Sequence, residues 1–172
     1  MIIGGNIEFS DLKIPFACVA TDIMTGDEVV INQGSVLAAV RASISVPVIF
    51  TVAKWLDRYL VDGGLVNPVP VSILKKMEAD FTIAVNVIPS FKAPVQHEKN
   101  FKGPNIFNAL IQSIQIGTSL LVRSSLVGTD ILIEPKVGHI NPSEFRRAQD
   151  CIEQGELAAQ AAIPEIKRKL ET

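Results

Sequence analysis

One short run of the sequence joins a carboxylate to two glycines where a strand is expected to end. Asp62-Gly63-Gly64 directly follows the apolar segment Tyr59-Leu60-Val61. In open α/β sheets reactive side chains collect at the ends of strands, and Asp62 stands at such an end. Glycines beside it adopt backbone angles closed to other residues and leave room for a reacting group. The pattern therefore predicts Asp62 as a catalytic residue and Gly63 and Gly64 as the glycines that shape its turn.

A β-hairpin is the alternative interpretation of this run, because Asp-Gly between apolar segments is the commonest hairpin signal. The segment that follows, Leu65 to Pro70, carries Pro68 and Pro70 at alternate positions. Two prolines remove hydrogen-bond donors that a returning strand would need. The sequence thus favours a strand end over a hairpin at Asp62.

Other residues with chemical potential fit structural roles better. Asp22 is expected to organise the turn that leads to Gly26 through bonds from its side chain to the backbone. Arg41 is expected to complement a helix dipole or to pair with a buried carboxylate. The remaining candidates are predicted to be loop, turn or packing residues: His97, His139, Ser43, Ser45 and Trp55.

The elements that must hold these residues follow from the apolar pattern. Short runs of β-forming residues predict strands near 14–20, 28–32, 59–61, 81–88 and 131–133. Helical spacing and proline positions predict helices over 36–42, 70–77 and 104–126, with a last helical region from 141 that breaks or restarts near Pro164. This alternation predicts an α/β fold with a mainly parallel sheet and an antiparallel excursion at 16–32.

Composition excludes several classes of protein. Of the 172 residues 48% are hydrophobic and 20% charged, which is enough for a buried core and unlike a disordered chain. Sixteen basic against eighteen acidic residues give a net charge of −2, so no nucleic acid partner is expected. Cys18 and Cys151 lie far apart without metal-ligand spacing, so neither a metal nor another cofactor is predicted. No transmembrane run or signal peptide is present, and we expect a cytoplasmic location.

Three segments, taken in order, resemble one family. They are Ile14-Pro15-Phe16 through Thr21-Asp22 and Thr25-Gly26, then Arg41-Ala42-Ser43 with Pro47 and Phe50, and then Asp62-Gly63-Gly64 with its trailing Asn67-Pro68. Together they are similar to the Asp-Gly-Gly, Arg-Ala-Ser and preceding strand motifs of patatin-like phospholipases. The resemblance covers residues 9–88, and from 105 onward it is one of pattern only. Val48 stands where the family usually has a small residue, mostly glycine.

This resemblance implies a three-layer α/β/α architecture and a lipid acyl hydrolase that uses a Ser–Asp dyad. Serine attacks the ester carbonyl, the aspartate takes its proton, and glycine-rich backbone N–H groups bind the oxyanion. Asp62 matches the dyad aspartate, and Gly63 and Gly64 match the motif glycines. The resemblance implies a lipid or other ester substrate and requires no metal or cofactor.

The nucleophile elbow, Gly-x-Ser-x-Gly, does not occur in these 172 residues. The nearest run is Gly117-Thr118-Ser119, which is predicted to lie inside a helix, and Gly4-Gly5-Asn6 is a weak match to the oxyanion loop and is expected to form a plain turn. We therefore interpret residues 1–172 as the C-terminal part of a patatin-like domain, inactive by itself. The alternatives are a non-catalytic truncated chain or pseudoenzyme, or a module that binds a small molecule, an N-terminal half or another copy of itself.

Overall fold

The computed structural model describes residues 7–88, 105–140 and 144–171. These residues form six strands and four α-helices, together with three short 3-10 turns. In chain order the elements are β1 (Cys18–Asp22), β2 (Glu28–Ile31), α1 (Val36–Ser43), β3 (Ala53–Trp55), β4 (Arg58–Asp62), α2 (Val71–Lys76), β5 (Ile83–Val85), α3 (Ile106–Ser125), β6 (Ile131–Ile133) and α4 (Ala148–Leu170). Within these described ranges no helix is long and apolar enough to cross a membrane.

The chain divides into two compact units, and α3 passes from the first into the second after Leu121. The first unit contains a four-stranded sheet in the order β2-β1-β4-β3. Every neighbouring pair in this sheet is antiparallel, with Ala20 opposite Asp62 between the two central strands. Because the strands alternate in direction, the β1–β2 and β3–β4 turns lie at one end of the sheet and Asp62 lies at the other.

The core of the first unit forms between this sheet and α1. All five residues of β1 are buried, as expected for a strand covered on both faces. The buried cluster consists of small and branched side chains: Cys18, Ala20, Ile31, Ala39, Ala42 and Leu60. Ser35 caps α1 by accepting a hydrogen bond from the N–H of Ala38, as its sequence position predicts. Trp55 packs partly buried against this cluster, which confirms the packing role expected for it.

The second unit is built around a two-stranded parallel pair, β5 with β6. Val69, Val71 and Ala84 form its buried cluster, with Leu126 packed against it. Asp130 ties the two strands together at their amino ends, because its Oδ2 accepts hydrogen bonds from the N–H and the hydroxyl of Thr82, at 2.8 and 2.7 Å. These bonds lower the pKa of the Asp130 carboxyl, and the charges of Lys75 and Lys169 act in the same direction.

The α/β class predicted from the sequence is confirmed, and so is the antiparallel excursion, which is the pairing of β1 with β2. The expectation of a mainly parallel sheet is wrong for the described residues, since three of the four strand pairings are antiparallel. The sequence pattern missed two of these antiparallel pairings, that of β1 with β4 and the hairpin of β3 with β4. The two-residue turn of this hairpin has a leucine, Leu56, at a φ of 52° instead of a typical turn residue.

The last helix also differs from its prediction. α4 continues through Pro164 without a break. Proline removes one backbone hydrogen bond from a helix interior, but the surrounding alanines and charged residues are good helix formers and the last turn carries three basic side chains that favour its dipole. The break expected near Pro164 is therefore wrong.

Candidate active site

The carboxylate of Asp62 lies at the end of β4 and caps the 3-10 turn that follows, Gly63–Leu65. Its Oδ1 accepts a hydrogen bond of 2.7 Å from the backbone N–H of Gly64. The side chain is half-buried, and among the described residues no hydrogen bond reaches its other oxygen, Oδ2. The hairpin alternative at this position is excluded, because the chain turns into a short helical segment instead of a returning strand.

Gly63 is required by a backbone contact with β1. A Cβ added at Gly63 would lie 2.2 Å from the carbonyl oxygen of Val19 and 2.6 Å from its carbonyl carbon. Only a residue without a side chain fits such a close approach of two backbone segments. The first glycine of the motif thus allows the turn after Asp62 to pack directly on the central strand.

Gly64 has a different function, which is to leave space around the carboxylate. A Cβ on Gly64 would lie 2.7 Å from Oδ1 of Asp62 and 3.7 Å from Cγ2 of Thr118. A side chain at this position would therefore crowd the hydrogen bond that orients the carboxylate. The sequence predicted room beside the carboxylate, and the missing side chain of Gly64 leaves the space that Oδ1 of Asp62 needs. The neighbouring methyl group of Thr118, from α3, had no signal in the sequence.

The backbone of Asp62 is held on both sides. Its N–H donates to the carbonyl oxygen of Ser45 at 3.0 Å, and its carbonyl oxygen accepts a bond of 2.8 Å from the hydroxyl of Thr21. Ser45 and Thr21 are both buried. Buried polar groups that are fully hydrogen-bonded fix geometry, because breaking either bond would leave an unsatisfied group in the interior. The sequence predicted a packing or turn role for Ser45 and did not single out Thr21.

Asn67, at the C-terminal end of the motif, connects the turn after Asp62 to β2 by hydrogen bonds. The N–H of Asn67 donates to the carbonyl oxygen of Gly63 at 2.9 Å, and its side-chain amide donates to Glu28 at 2.6 Å. The trailing Asn-Pro of the motif therefore closes the turn that starts at Asp62. The turn is hydrogen-bonded to β2 through Asn67 and packed on β1 through Gly63.

Burial raises the pKa of the Asp62 carboxyl above its ordinary value, while the hydrogen bond from Gly64 acts in the opposite direction and is the smaller effect. A carboxylate that is partly desolvated is a stronger base, because its proton affinity is closer to that of the groups it must deprotonate near neutral pH. With Oδ1 occupied by Gly64 and Oδ2 unengaged by described residues, the arrangement is suited to accept one proton from a hydroxyl group.

Comparison with known proteins matches the part of the chain that contains this site. A family model described as patatin-like phospholipase matches residues 5–75, a range that includes the Arg-Ala-Ser segment and the whole Asp62 turn. Over these residues the chain is patatin-like. The resemblance seen in the sequence motifs is thereby confirmed.

Curated relatives of the patatin-like segment are uncharacterized NTE family proteins of mycobacteria. One from Mycobacterium tuberculosis is 33% identical over 117 residues, which is 68% of this chain and 31% of the relative. Another from Mycobacterium bovis is 28% identical over 177 aligned positions, which is 92% of this chain and 30% of the relative. The chain therefore spans just under a third of the length of these relatives.

The other sequence candidates lie away from the Asp62 turn or serve the fold. Asp22 accepts a bond from the N–H of Met24 at 3.0 Å and pairs with Arg58 at 3.5 Å, which confirms its turn role. Ser119 lies inside α3, as predicted, and its hydroxyl donates to the carbonyl oxygen of Ile116. His139 is an exposed loop residue. Gly4-Gly5-Asn6 and His97 lie outside the described residues.

Two further features bear on metal and thiol chemistry in the described residues. Within those residues no three His, Cys, Asp or Glu side chains are grouped so that they could hold a metal ion. Cys18 is buried in the first core, and burial raises the pKa of its thiol. A thiol with a raised pKa is a poor nucleophile, so Cys18 is a packing residue.

Proposed function

We propose that this chain provides the general-base aspartate of a Ser–Asp lipid acyl hydrolase, with Asp62 as the base and Gly63 and Gly64 as its supporting glycines. The observation that carries the proposal is the Asp62 carboxylate itself. It is half-buried at a strand end, one oxygen is oriented by the N–H of Gly64, and the other has no partner among the described residues. The patatin-like match over residues 5–75 supports the same reaction class.

In the proposed reaction Oδ2 of Asp62 takes the proton of a serine hydroxyl as that oxygen attacks the ester carbonyl. The bond from Gly64 to Oδ1 keeps the carboxylate oriented while the proton moves. The aspartate then returns this proton to the leaving alcohol, and a second round with water releases the acid. No step requires a metal or cofactor.

The nucleophile in this proposal comes from outside residues 1–172, because no Gly-x-Ser-x-Gly elbow occurs within them. We accordingly propose that these residues form part of a patatin-like domain whose serine and oxyanion donors lie in another segment or another chain. Lipid esters are the proposed substrate class and a role in lipid degradation the proposed context, following the description of the matching family. A cytoplasmic location stays a prediction from the sequence.

Labelling with a fluorophosphonate tests this proposal, since the reagent reacts only with a serine that a nearby base activates. The protein to use is the product of the longest reading frame that includes these 172 residues, alongside the 172-residue chain. We expect the longer protein to be labelled and its Asp62→Asn variant to be labelled at least about a hundred-fold more slowly, given the usual contribution of a general base. The 172-residue chain alone should stay unlabelled.

Asp57→Asn is the matched control, because Asp57 is an exposed aspartate in the β3–β4 turn at the opposite end of the sheet. Labelling of this variant should equal that of the unmodified protein. Equal labelling of the Asp62→Asn variant would overturn the role given to Asp62.

A second candidate function is a non-catalytic interaction module, and one observation favours it. The helix α3 contains no buried residue, although its sequence predicts an apolar stripe. Several of its apolar side chains are exposed by about half or more: Ile106, Phe107, Leu110, Ile116 and Leu120. Exposed apolar surface of this kind is typical of an association site. In this alternative the chain binds another copy of itself or a separate polypeptide.

A further inference from the structure

Ser45 is a buried junction between α1 and Asp62. The N–H of Ser45 donates to the carbonyl oxygen of Ala42, and its hydroxyl donates to the carbonyl oxygen of Arg41 at 2.6 Å. Its own carbonyl oxygen accepts a hydrogen bond from the N–H of Asp62. The side chain has no exposure to solvent. The position of the Asp62 backbone therefore depends on where Ser45 is held.

Arg41 holds Ser45 through its guanidinium group. Nη1 donates to the hydroxyl of Ser45, and Nη2 donates to the carbonyl oxygen and the hydroxyl of Thr51, at 3.1 and 3.0 Å. The guanidinium carbon also lies 5.4 Å from the centre of the Phe50 ring, within the range of a cation–π contact. One planar group thus joins both ends of the segment 45–51, which a lysine could not do because it lacks the fork of donors.

The segment 45–51 needs such a clamp because it contains strain. Val48 has a φ of 74°, in the left-handed region that a β-branched residue rarely adopts. Strained residues persist where the surrounding structure fixes them, and they cluster at functional sites. Arg41 lies in the last turn of α1, which fits the first of its two sequence interpretations, a charge that complements the helix dipole. Within the described residues its contacts are to hydroxyl and carbonyl oxygens and a ring, and not to the carboxylate of the second interpretation.

We propose that Arg41 is a positioning residue for Asp62, which acts through Ser45 by clamping the segment 45–51. This inference rests on the proposed function, in which Asp62 is the base. The clamp fixes the carbonyl oxygen of Ser45, that oxygen fixes the N–H of Asp62, and the end of β4 then keeps the carboxylate half-buried over the Gly63–Gly64 turn. Without the clamp, the end of β4 loosens and water reaches the carboxylate.

The test measures the titration of the Asp62 carboxyl by carbon-13 NMR in the protein of the longest reading frame and in its Arg41→Lys variant. Because Arg41→Lys retains the positive charge, a change reports geometry and hydration, not lost electrostatics. We expect the pKa of Asp62 to fall toward its ordinary value in this variant, since desolvation is the main cause that raises it. A purely structural Arg41 would lower the unfolding midpoint and leave this titration unchanged.

Arg58→Lys is the matched control. Arg58 pairs with Asp22 at the other end of the same sheet, so its replacement should leave the titration of Asp62 unchanged. Ser45→Ala is the second test variant. It removes only the hydroxyl that Arg41 binds and retains the backbone bond to Asp62, and it should shift the titration in the same direction as Arg41→Lys. If Arg41→Lys does not fold, the titration of Asp62 in the Ser45→Ala variant is the deciding test. An unchanged pKa of Asp62 in that variant overturns the proposal.

The failure of this inference and the failure of the proposed function are distinguishable. In the longer protein we expect Arg41→Lys to lower kcat for a lipid ester by about ten-fold to a hundred-fold with little change in KM. An unchanged Asp62 titration in Arg41→Lys overturns the positioning role, whatever the enzyme does. A shifted titration together with full activity of the Asp62→Asn protein leaves the positioning role intact and overturns the role of Asp62 as base.

Discussion

Gly63 and Val19 are in direct backbone contact: the carbonyl oxygen of Val19 lies 2.2 Å from the point that a Cβ on Gly63 would occupy. This contact packs the turn after Asp62 on the most buried strand of the sheet, β1. The carboxylate is therefore carried by a turn that is packed on β1 and bonded to β2 through Asn67. A substitution at Gly63 has to separate backbone from backbone, which no side-chain rearrangement can relieve.

Gly63→Ala is expected to lower the free energy of unfolding by about 3 kcal/mol, because overpacking against fixed backbone is among the costlier single changes. Gly117→Ala is the matched control, since a Cβ at Gly117 in α3 meets nothing within 4 Å. It should raise stability by about 0.5–1 kcal/mol through helix propensity. Urea unfolding followed by the fluorescence of Trp55, the single tryptophan, measures both. Equal free energies of unfolding for the two variants would contradict the claim that the contact with Val19 requires a glycine at position 63.

Val48→Gly is expected to stabilise the chain by about 0.5–1 kcal/mol. Relief of the left-handed conformation at a φ of 74° outweighs the added entropy of the unfolded glycine, and the valine side chain is 46% exposed and contributes little burial. Val52→Gly is the control, because Val52 is equally exposed, at 47%, but has no positive φ. It should destabilise the chain by about 1 kcal/mol in the same urea experiment. A loss of stability in Val48→Gly would show that the backbone there is not strained.

Asp62→Asn should make the folded chain more stable at pH 7. Burial raises the folded pKa of Asp62 above its unfolded value, so between these two values the native state binds more protons and the stability of the unmodified chain falls as pH rises. Asparagine never carries this charge and can still accept the bond from Gly64. The extra stability of the Asp62→Asn variant should be absent below the pKa of Asp62 in the unfolded chain. It should grow with pH until the pH exceeds the pKa of Asp62 in the folded chain.

Urea midpoints over a pH series measure this difference, with Asp57→Asn at the exposed β3–β4 turn as the comparison. The difference between Asp62→Asn and the unmodified chain should disappear at low pH. An asparagine variant that is less stable at pH 7 would mean that the charged carboxylate stabilises the fold, which is the opposite of what a desolvated base does.

Association of the 172-residue chain is expected from the exposed apolar surface of α3, where Phe107 is 63% and Leu120 is 75% exposed. Light scattering should show self-association or aggregation at micromolar concentration. Replacing Ile106, Phe107 and Leu120 by glutamine should reduce it, whereas replacing the exposed polar residues Asn108 and Gln112 by alanine should not. A monodisperse monomer of the unmodified chain would contradict this expectation.

The local elements near Asp62 could be predicted because each leaves a local signal. The Ser35 cap, the apolar run of β1 and the prolines after Asp62 depend on residues adjacent in sequence, and all three appear in the structure as expected. Val48 left only an indirect signal, because it stands where the resembling family usually has a small residue, mostly glycine. Its positive φ is one that a valine disfavours, so the surrounding structure must hold it.

What could not be predicted depends on contacts between distant residues. The hairpin of β3 and β4 turns at Leu56 with a conformation that its residue type disfavours, so no turn signal marked it. Asp62 accepts a hydrogen bond from Thr21, 41 positions before it, and donates one to Ser45, 17 positions before it. For Arg41 the sequence left a helix dipole or a carboxylate open, because the hydroxyl and carbonyl oxygens that it binds leave no signal in a sequence.

The rate of ester hydrolysis by the protein of the longest reading frame, compared with its Asp62→Asn variant, tests the central claim most directly. Asparagine keeps the size of the side chain and the bond from Gly64 but cannot take a proton from a hydroxyl. We predict that kcat/KM for a lipid ester falls by a factor of about 10²–10⁴ while the variant remains folded. A folded Asp62→Asn protein whose kcat/KM stays within about two-fold of the unmodified enzyme would contradict the claim that Asp62 is the general base.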